Sequence, residues 1–454
     1  MRFAQISFSV SETAVLDGDH WDRITWNISS SEFPKYFDQN KNAQFLEFNP
    51  CFFDTQFAIL APQDPPCTSL RDSPKILSPV MDSHSIKPSR LSVLILHLRS
   101  YSKMPTAVTS APPSFLASLA QYESYDATPV IGTVFSNKST QLSELLEAPN
   151  ADELLHDLAV LVSHRGVVFF KDQNITIEQQ KRLGQKLGEL TGKPATSKLH
   201  KHPISEDVPE LGLEISVISS KGGIARSGRP TKTRASGGWH SDITFENVPS
   251  DYAVSPITSL SSLSPSNQGT QILKLHTLPA VGGDTLWASG YEAYDRLSPA
   301  YQKFLEGLTA THDGGVFNAY SEKTGLKLNP ERGAPENVGS ELKTVHPVIR
   351  TNPVTGFKTL FVNKGFTKRI NELTQDESDH LLDYLTMQFS ENHDLQVRYR
   401  WQPNDVAIWD NRVTVHTATH DYSDHREGNR VVSLGERPYF DPNSKSRREA
   451  LGVN

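Results

Sequence analysis

The sequence predicts a mainly β protein with flanking helices, an α+β chain of the sandwich or jelly-roll kind. Short strand-like runs dominate from Trp239 to the C-terminus, with helical stripes set between them. VVFF (167–170) and DVAIW (405–409) are short, mostly apolar runs of strand length that read as buried strands.

Order becomes legible near Asn150. In ADELLHDLAVLVSHRG, Leu154, Leu155, Leu158 and Leu161 form a helical stripe, and Gly166 can end it. VVFF follows as a buried strand. Thr176 and Glu178 then open a second amphipathic helix, ITIEQQKRLGQKLGEL. Thr374 and Glu377 make a capping-box pattern ahead of SDHLLDYLTMQF. QVRYRW alternates as a strand, QPND turns, and DVAIW is the second buried strand. The predicted organisation is an N-terminal extension over 1–103, a lead-in over 104–149, one domain over 150–441 and a charged tail over 442–454. The extension carries a Ser/Pro-rich stretch from Ala61 to Arg90 and no sustained period. It reads as disordered, or as upstream sequence ahead of a true start at Met104.

The 454 residues carry 45 Lys plus Arg against 52 Asp plus Glu, a net charge of -7. That balance argues against a nucleic-acid partner, which would ask for a basic face. No run of about 18 apolar residues occurs, so a membrane helix is not expected. Cys51 and Cys67 are the only cysteines, which excludes a disulfide scaffold or a cysteine-rich zinc site and points to the cytoplasm.

The strongest local signal is Trp239-His240-Ser241-Asp242. On an extended strand, residues i and i+2 share a face, so His240 and Asp242 would converge. A second histidine would complete a two-histidine, one-carboxylate face for a divalent first-row metal. IWDNRVTVHTATHDY offers His416, after an alternating strand, with His420 in reserve. Such a face leaves positions open for a bidentate 2-oxo acid and dioxygen. Arg430 of NRVVSLGERP suits the distal carboxylate, because guanidinium grips carboxylate with two parallel hydrogen bonds; Arg426 is the next candidate. Trp287, Trp401 and Trp409 read as core aromatics.

From about Asn150 to Asp441 the chain resembles the taurine dioxygenase family of iron(II)- and 2-oxoglutarate-dependent oxygenases. WHSDITFE, GGDTLWASGYEAY, LFVNKGF, RYRWQPNDVAIWDNRVTVH and RVVSLGERP carry the resemblance, in the family's order. It implies a double-stranded β-helix (jelly roll), Fe(2+) on His240, Asp242 and His416, and 2-oxoglutarate on Thr285 and Arg430. The match is nearest the sulfonate-directed branch, with fungal sulfonate dioxygenases as the kind. The implied partners are a small sulfonate and dioxygen, with a homo-oligomer left open. The chain departs from the bacterial pattern in the substrate pocket. Lys193 stands where that branch has a histidine, and His200 or His202 could serve instead. A family aromatic after His312-Asp313 is displaced, leaving Asn318 aligned and Phe317 beside it. Ile243 and Phe361, from WHSDITFE and LFVNKGF, complete the expected substrate contacts. Alkyl sulfates, phenoxyacetates and xanthine are the alternative substrates. A metal hydrolase or a catalytically impaired binding protein is the alternative class.

Residues 254–271, VSPITSLSSLSPSNQGTQ, break the resemblance. Without them the chain would read DYAILKLHTLPAVGGDTLW, an uninterrupted match. The segment is uncharged and Ser/Pro-rich, and its end codons can be GT-initial and CAG. It therefore reads as a retained in-frame intron, with a surface loop as the alternative.

Overall fold

The computed structural model describes residues 115–204, 211–220, 234–257 and 278–453. The 1–103 extension, its proposed start at Met104 and residues 258–271 of the expected insertion lie outside them. The lead-in supplies β1 (Ser124–Asp126), β2 (Thr133–Phe135) and α1 (Leu142–Glu147). Next come α2 (Ala151–Arg165), β3 (Val167–Phe170), α3 (Ile177–Leu190), β4 (Ile215–Ser219) and β5 (Ser250–Ile257). The chain resumes with β6 (Thr285–Ser289), α4 (Gly290–Asp295), α5 (Pro299–Leu305), β7 (Thr309–Asp313) and α6 (Gly315–Thr324). Then follow β8 (Lys343–Pro347), β9 (Ile349–Thr351), β10 (Lys358–Leu360), β11 (Thr367–Ile370) and α7 (Gln375–Ser390). β12 (Gln396–Tyr399), β13 (Asp405–Asp410), β14 (Thr414–Ala418), β15 (Glu427–Leu434) and α8 (Arg447–Leu451) complete the order.

The local signals hold. α2 ends at Gly166, whose φ of 73° is the left-handed turn a glycine takes without penalty. A Cβ there would stand 2.8 Å from the Thr414 side chain, so the position is also sterically closed. α3 starts with a capping box between Thr176 and Gln179, and α7 with one between Thr374 and Glu377.

β1-β2-β3-β13-β5-β15-β4 form a seven-stranded sheet, and β12-β6-β14 a three-stranded one. Val167, Phe169, Ala253, Ala407, Trp409 and Val432 point from the large sheet into one core with Trp287, Val397 and Tyr399 of the small sheet. Val168, Phe170, Tyr252, Val254, Val406 and Ile408 point the other way, against α1, α2 and α3. The central strands are thus buried on both faces, which is why VVFF and DVAIW show no alternation. α4, α5 and α7 cover the outer face of the small sheet through Ala288 and Val415. The architecture is mainly β sheet with helices on both outer sides. No helix among the described residues is long and apolar enough to cross a membrane.

The expected insertion does not begin as a loop. Val254, Ser255, Pro256 and Ile257 complete β5, opposite Ile408, Ala407, Val406 and Asp405 of β13, and Val254 is fully buried.

Candidate metal centre and active site

β14 is one half of the tight β13–β14 connection, and buried charge holds that connection. The Arg412 guanidinium donates to both Asp410 carboxylate oxygens, at 2.8 Å each. Asp410 also accepts from Ser163 and Asn352, and Arg412 lies over the Tyr252 ring. Burial would depress the Arg412 guanidinium, but the Asp410 charge outweighs it and holds it well above its ordinary range. Removing one partner of such a pair would leave the other charge uncompensated.

His416 stands on β14 opposite Trp287 of β6. His240 reaches it through an isolated antiparallel bridge: His240 N–H donates to His416 O (3.0 Å) and His416 N–H to His240 O (2.7 Å). The H-x-D segment is not an extended strand beyond that bridge, as the sequence suggested. It turns at once, with the β-branched Ile243 at a φ of 52°, a strained value of the kind found at functional sites. The turn brings Asp242 Oδ1 to 3.7 Å from His240 Nε2 and 3.8 Å from His416 Nε2.

This donor set fits a divalent metal. The three candidate ligand atoms lie within 4.8 Å of one another. His240 Nδ1 lies 2.8 Å from the Gly238 carbonyl; the N–H donated there leaves Nε2 as a lone pair. Burial pushes the His416 imidazole down to about 3, so it is neutral. Burial by itself would raise the Asp242 carboxyl, but Arg430 and the flanking histidines hold it below its usual value. Asp242 Oδ2 is buried without a partner, an acceptor left for a ligand.

The supporting residues are also defined. Asn411 Oδ1 accepts from both Asp242 N–H (3.1 Å) and Trp409 Nε1 (3.1 Å), and Asn411 Nδ2 donates to Ser250 Oγ. Ser241 Oγ donates to Thr414 O. Gly365 of LFVNKGF is in close approach to His240, where a Cβ would lie 3.0 Å from the His240 Cβ. The Phe366 ring meets the His240 ring edge-on at 6.2 Å. The sequence assigns no role to Asn411 of the WDNR motif and reads Trp401 as a core aromatic. Trp401 Nε1 donates to Thr285 Oγ1 at 3.0 Å, which leaves the threonine hydroxyl proton free to donate elsewhere.

The two arginines sit differently. Arg430 Nη1 donates to Asp242 Oδ1 at 2.6 Å, directly on the carboxylate of the candidate metal site. Arg426 is buried, and its Nε donates to Gly283 O (3.0 Å), two residues before Thr285.

The expected substrate residues divide. His202 is half-buried, packs edge-on against Phe317 at 4.9 Å, and lies in the field of Arg430 and Asp242. Burial pushes its imidazole down to about 3. Phe317 also packs on Phe245 and Phe366, giving an aromatic wall that continues to His240. Ile243 is buried beside Asp242. His200 lies one step behind, 3.3 Å from Glu246, whose carboxylate is gripped by Arg332. Lys193 is bonded elsewhere: its Nζ donates to Ser433 Oγ (2.8 Å) and Gln185 Oε1 (3.1 Å). Burial lowers its ammonium, and Asp251 opposes that. Phe361 packs against His312, His346 and the Arg350 guanidinium.

A strand scaffold holding two histidines and one carboxylate within ligand distance of one another, with arginines alongside, has the donor set of a mononuclear metal centre of the oxygenase class. The pattern of the taurine catabolism dioxygenase TauD, TfdA family matches residues 124–255 and 258–432, and the chain belongs to that family. It is 47% identical over 357 residues to the alpha-ketoglutarate-dependent dioxygenase btcD of Neocamarosporium betae, covering 76% of this chain and 99% of that one. It is 32% identical to the alpha-ketoglutarate-dependent sulfonate dioxygenase of Saccharomyces cerevisiae, over 69% of this chain and 67% of that one. A Burkholderia xenovorans crystal structure assigned as an alpha-ketoglutarate-dependent taurine dioxygenase superposes with a TM-score of 0.51 at 25% identity, over 71% of this chain and 92% of that one. The chain is a 2-oxoglutarate-dependent dioxygenase acting on a small molecule with dioxygen.

Proposed function

We propose that this dioxygenase hydroxylates a small sulfonate at the carbon bearing sulfur. The hydroxylated product collapses to an aldehyde and sulfite, while 2-oxoglutarate becomes succinate and CO2. The observation that carries the reading is Arg430: its guanidinium is bonded to Asp242 and acts electrostatically on His202, which packs against Phe317. The yeast sulfonate dioxygenase among the relatives supports the same class. In this reading the two facing sheets are the family's double-stranded β-helix.

His240, Asp242 and His416 would hold iron(II), which supplies the redox chemistry that activates dioxygen. The protein's own groups bind and orient. Thr285 and Arg426 hold the distal carboxylate of 2-oxoglutarate, with the Thr285 proton donated because Trp401 occupies its oxygen. Arg426 suits this role better than Arg430. A distal carboxylate stands a chain length away from the metal, whereas Arg430 touches a metal-binding oxygen. Arg430 then faces the substrate anion, with His202 as a neutral hydrogen-bonding neighbour. Phe245, Phe317 and Phe366 exclude water around the reacting carbon.

A panel scored for succinate and sulfite, with iron, ascorbate and oxygen, tests the substrate class. Taurine, isethionate or longer alkanesulfonates should release sulfite in step with succinate. Turnover of phenoxyacetate, xanthine or alkyl sulfates with none of the sulfonates would overturn it. An Acinetobacter baylyi alkylsulfatase is 31% identical over 290 residues, which makes alkyl sulfates the second reading.

We further propose that residues 254–271 are a retained intron. Removing them would place Ile272, Leu273, Lys274 and Leu275 where Val254 to Ile257 now stand, with an apolar residue again at the buried Val254 position. A chain lacking 254–271 should fold with the same or a higher thermal midpoint and at least equal turnover. A lower midpoint, together with transcripts that keep all 54 nucleotides (three for each of the 18 residues 254–271), would identify a genuine loop.

A further inference from the structure

A groove of about 460 Å³ opens where the lead-in, α2, α4 and α8 meet, and none of its lining residues belongs to the candidate metal centre. Its charges do not balance. Arg165, Arg447 and Arg448 line it with Asp126 and Glu292. Arg165 Nε lies 3.3 Å from Asp126 Oδ1 and donates to Thr133 Oγ1, while its two Nη atoms donate to carbonyls of the Thr128–Gly132 turn. Arg448 pairs with Glu292, which also holds Arg296. Arg447 remains. It is only 7% exposed, its Nε is buried without a partner, and none of its nitrogens meets a carboxylate among the described residues. Of its electrostatic neighbours, Arg165 is a further cation, and burial pushes the His164 imidazole down to about 4, so that it is neutral. A buried guanidinium without a counter-ion is costly. The opposite wall is apolar, built from Leu116, Val130, Leu161 and Leu451.

We propose that this groove binds a monoanionic amphiphile: a carboxylate gripped by Arg447, with a short hydrocarbon body along the Leu116–Leu161 wall. One uncompensated cation sets the charge of the ligand at minus one. The planar fork favours a two-oxygen headgroup. The groove volume lies within the range of small-ligand pockets.

Calorimetric titration of the full iron-loaded chain with octanoate tests this, with acetate and 1-octanol as controls. Octanoate should bind saturably at one site, and both controls more weakly. Arg447→Met should weaken octanoate roughly tenfold to a hundredfold, the size of a charge-assisted bond pair. It should also leave 2-oxoglutarate turnover intact and the ligand-free thermal midpoint equal or higher. Leu116→Trp, at a half-buried wall position, should block octanoate while Arg447 stays in place. Octanoate binding that is absent, equalled by 1-octanol or unchanged in both variants overturns the proposal. So does a lower ligand-free midpoint in Arg447→Met, which would mark the arginine as a structural tie. Binding of octyl phosphate in place of octanoate would overturn the carboxylate assignment.

Discussion

Alanine at His240, Asp242 or His416 is expected to abolish succinate formation and to cut iron(II) affinity by well over a hundredfold. Loss of a residue that merely orients a ligand costs about 10–100-fold in affinity or activity, so loss of a ligand costs more. Iron(II) is also a weak competitor among divalent metals and cannot spare one donor of three. The backbone bridge between His240 and His416 does not depend on side chains, so each variant should keep its fold. The check is equilibrium iron binding followed by turnover at saturating iron. Full activity in His416→Ala would move the assignment to His420. Asp242→Ala carries an added effect, because it strands the Arg430 guanidinium now bonded to it.

The arginines should separate by readout. Arg426→Ala should raise the apparent KM for 2-oxoglutarate roughly a hundredfold, since truncating one partner of a buried charge-assisted pair costs about 2–5 kcal/mol. Arg426→Lys keeps the charge but loses the fork and should fall between. Arg430→Ala should instead raise the KM for the sulfonate and leave 2-oxoglutarate binding less affected. If the two phenotypes exchange, Arg430 is the cosubstrate anchor, as the sequence resemblance implied. If neither variant alters cosubstrate dependence, Thr285 and its neighbours hold it without an arginine.

What the sequence by itself determined was whatever short-range pattern encodes. Gly166 ends α2 because the backbone there needs a positive φ. Thr176 and Thr374 open helices because a hydroxyl and a side chain three residues on satisfy the first free N–H groups. VVFF and DVAIW announced buried strands, and the H-x-D with a later histidine announced the candidate ligand set. Only the tertiary structure decided the rest, because charge balance depends on neighbours far apart in the chain. Lys193 looked like an anion contact until folding set it against Ser433 and Gln185. Arg426 and Arg430, four residues apart, read alike in sequence. On β15 and the loop before it they reach different partners, Asp242 for one and Gly283 for the other. Arg447 sits in what reads as a solvated charged tail, yet α8 folds back against α4 and buries it without a counter-ion. Local pattern specifies elements, whereas the pairing of charges is specified by packing, which no short window of sequence contains.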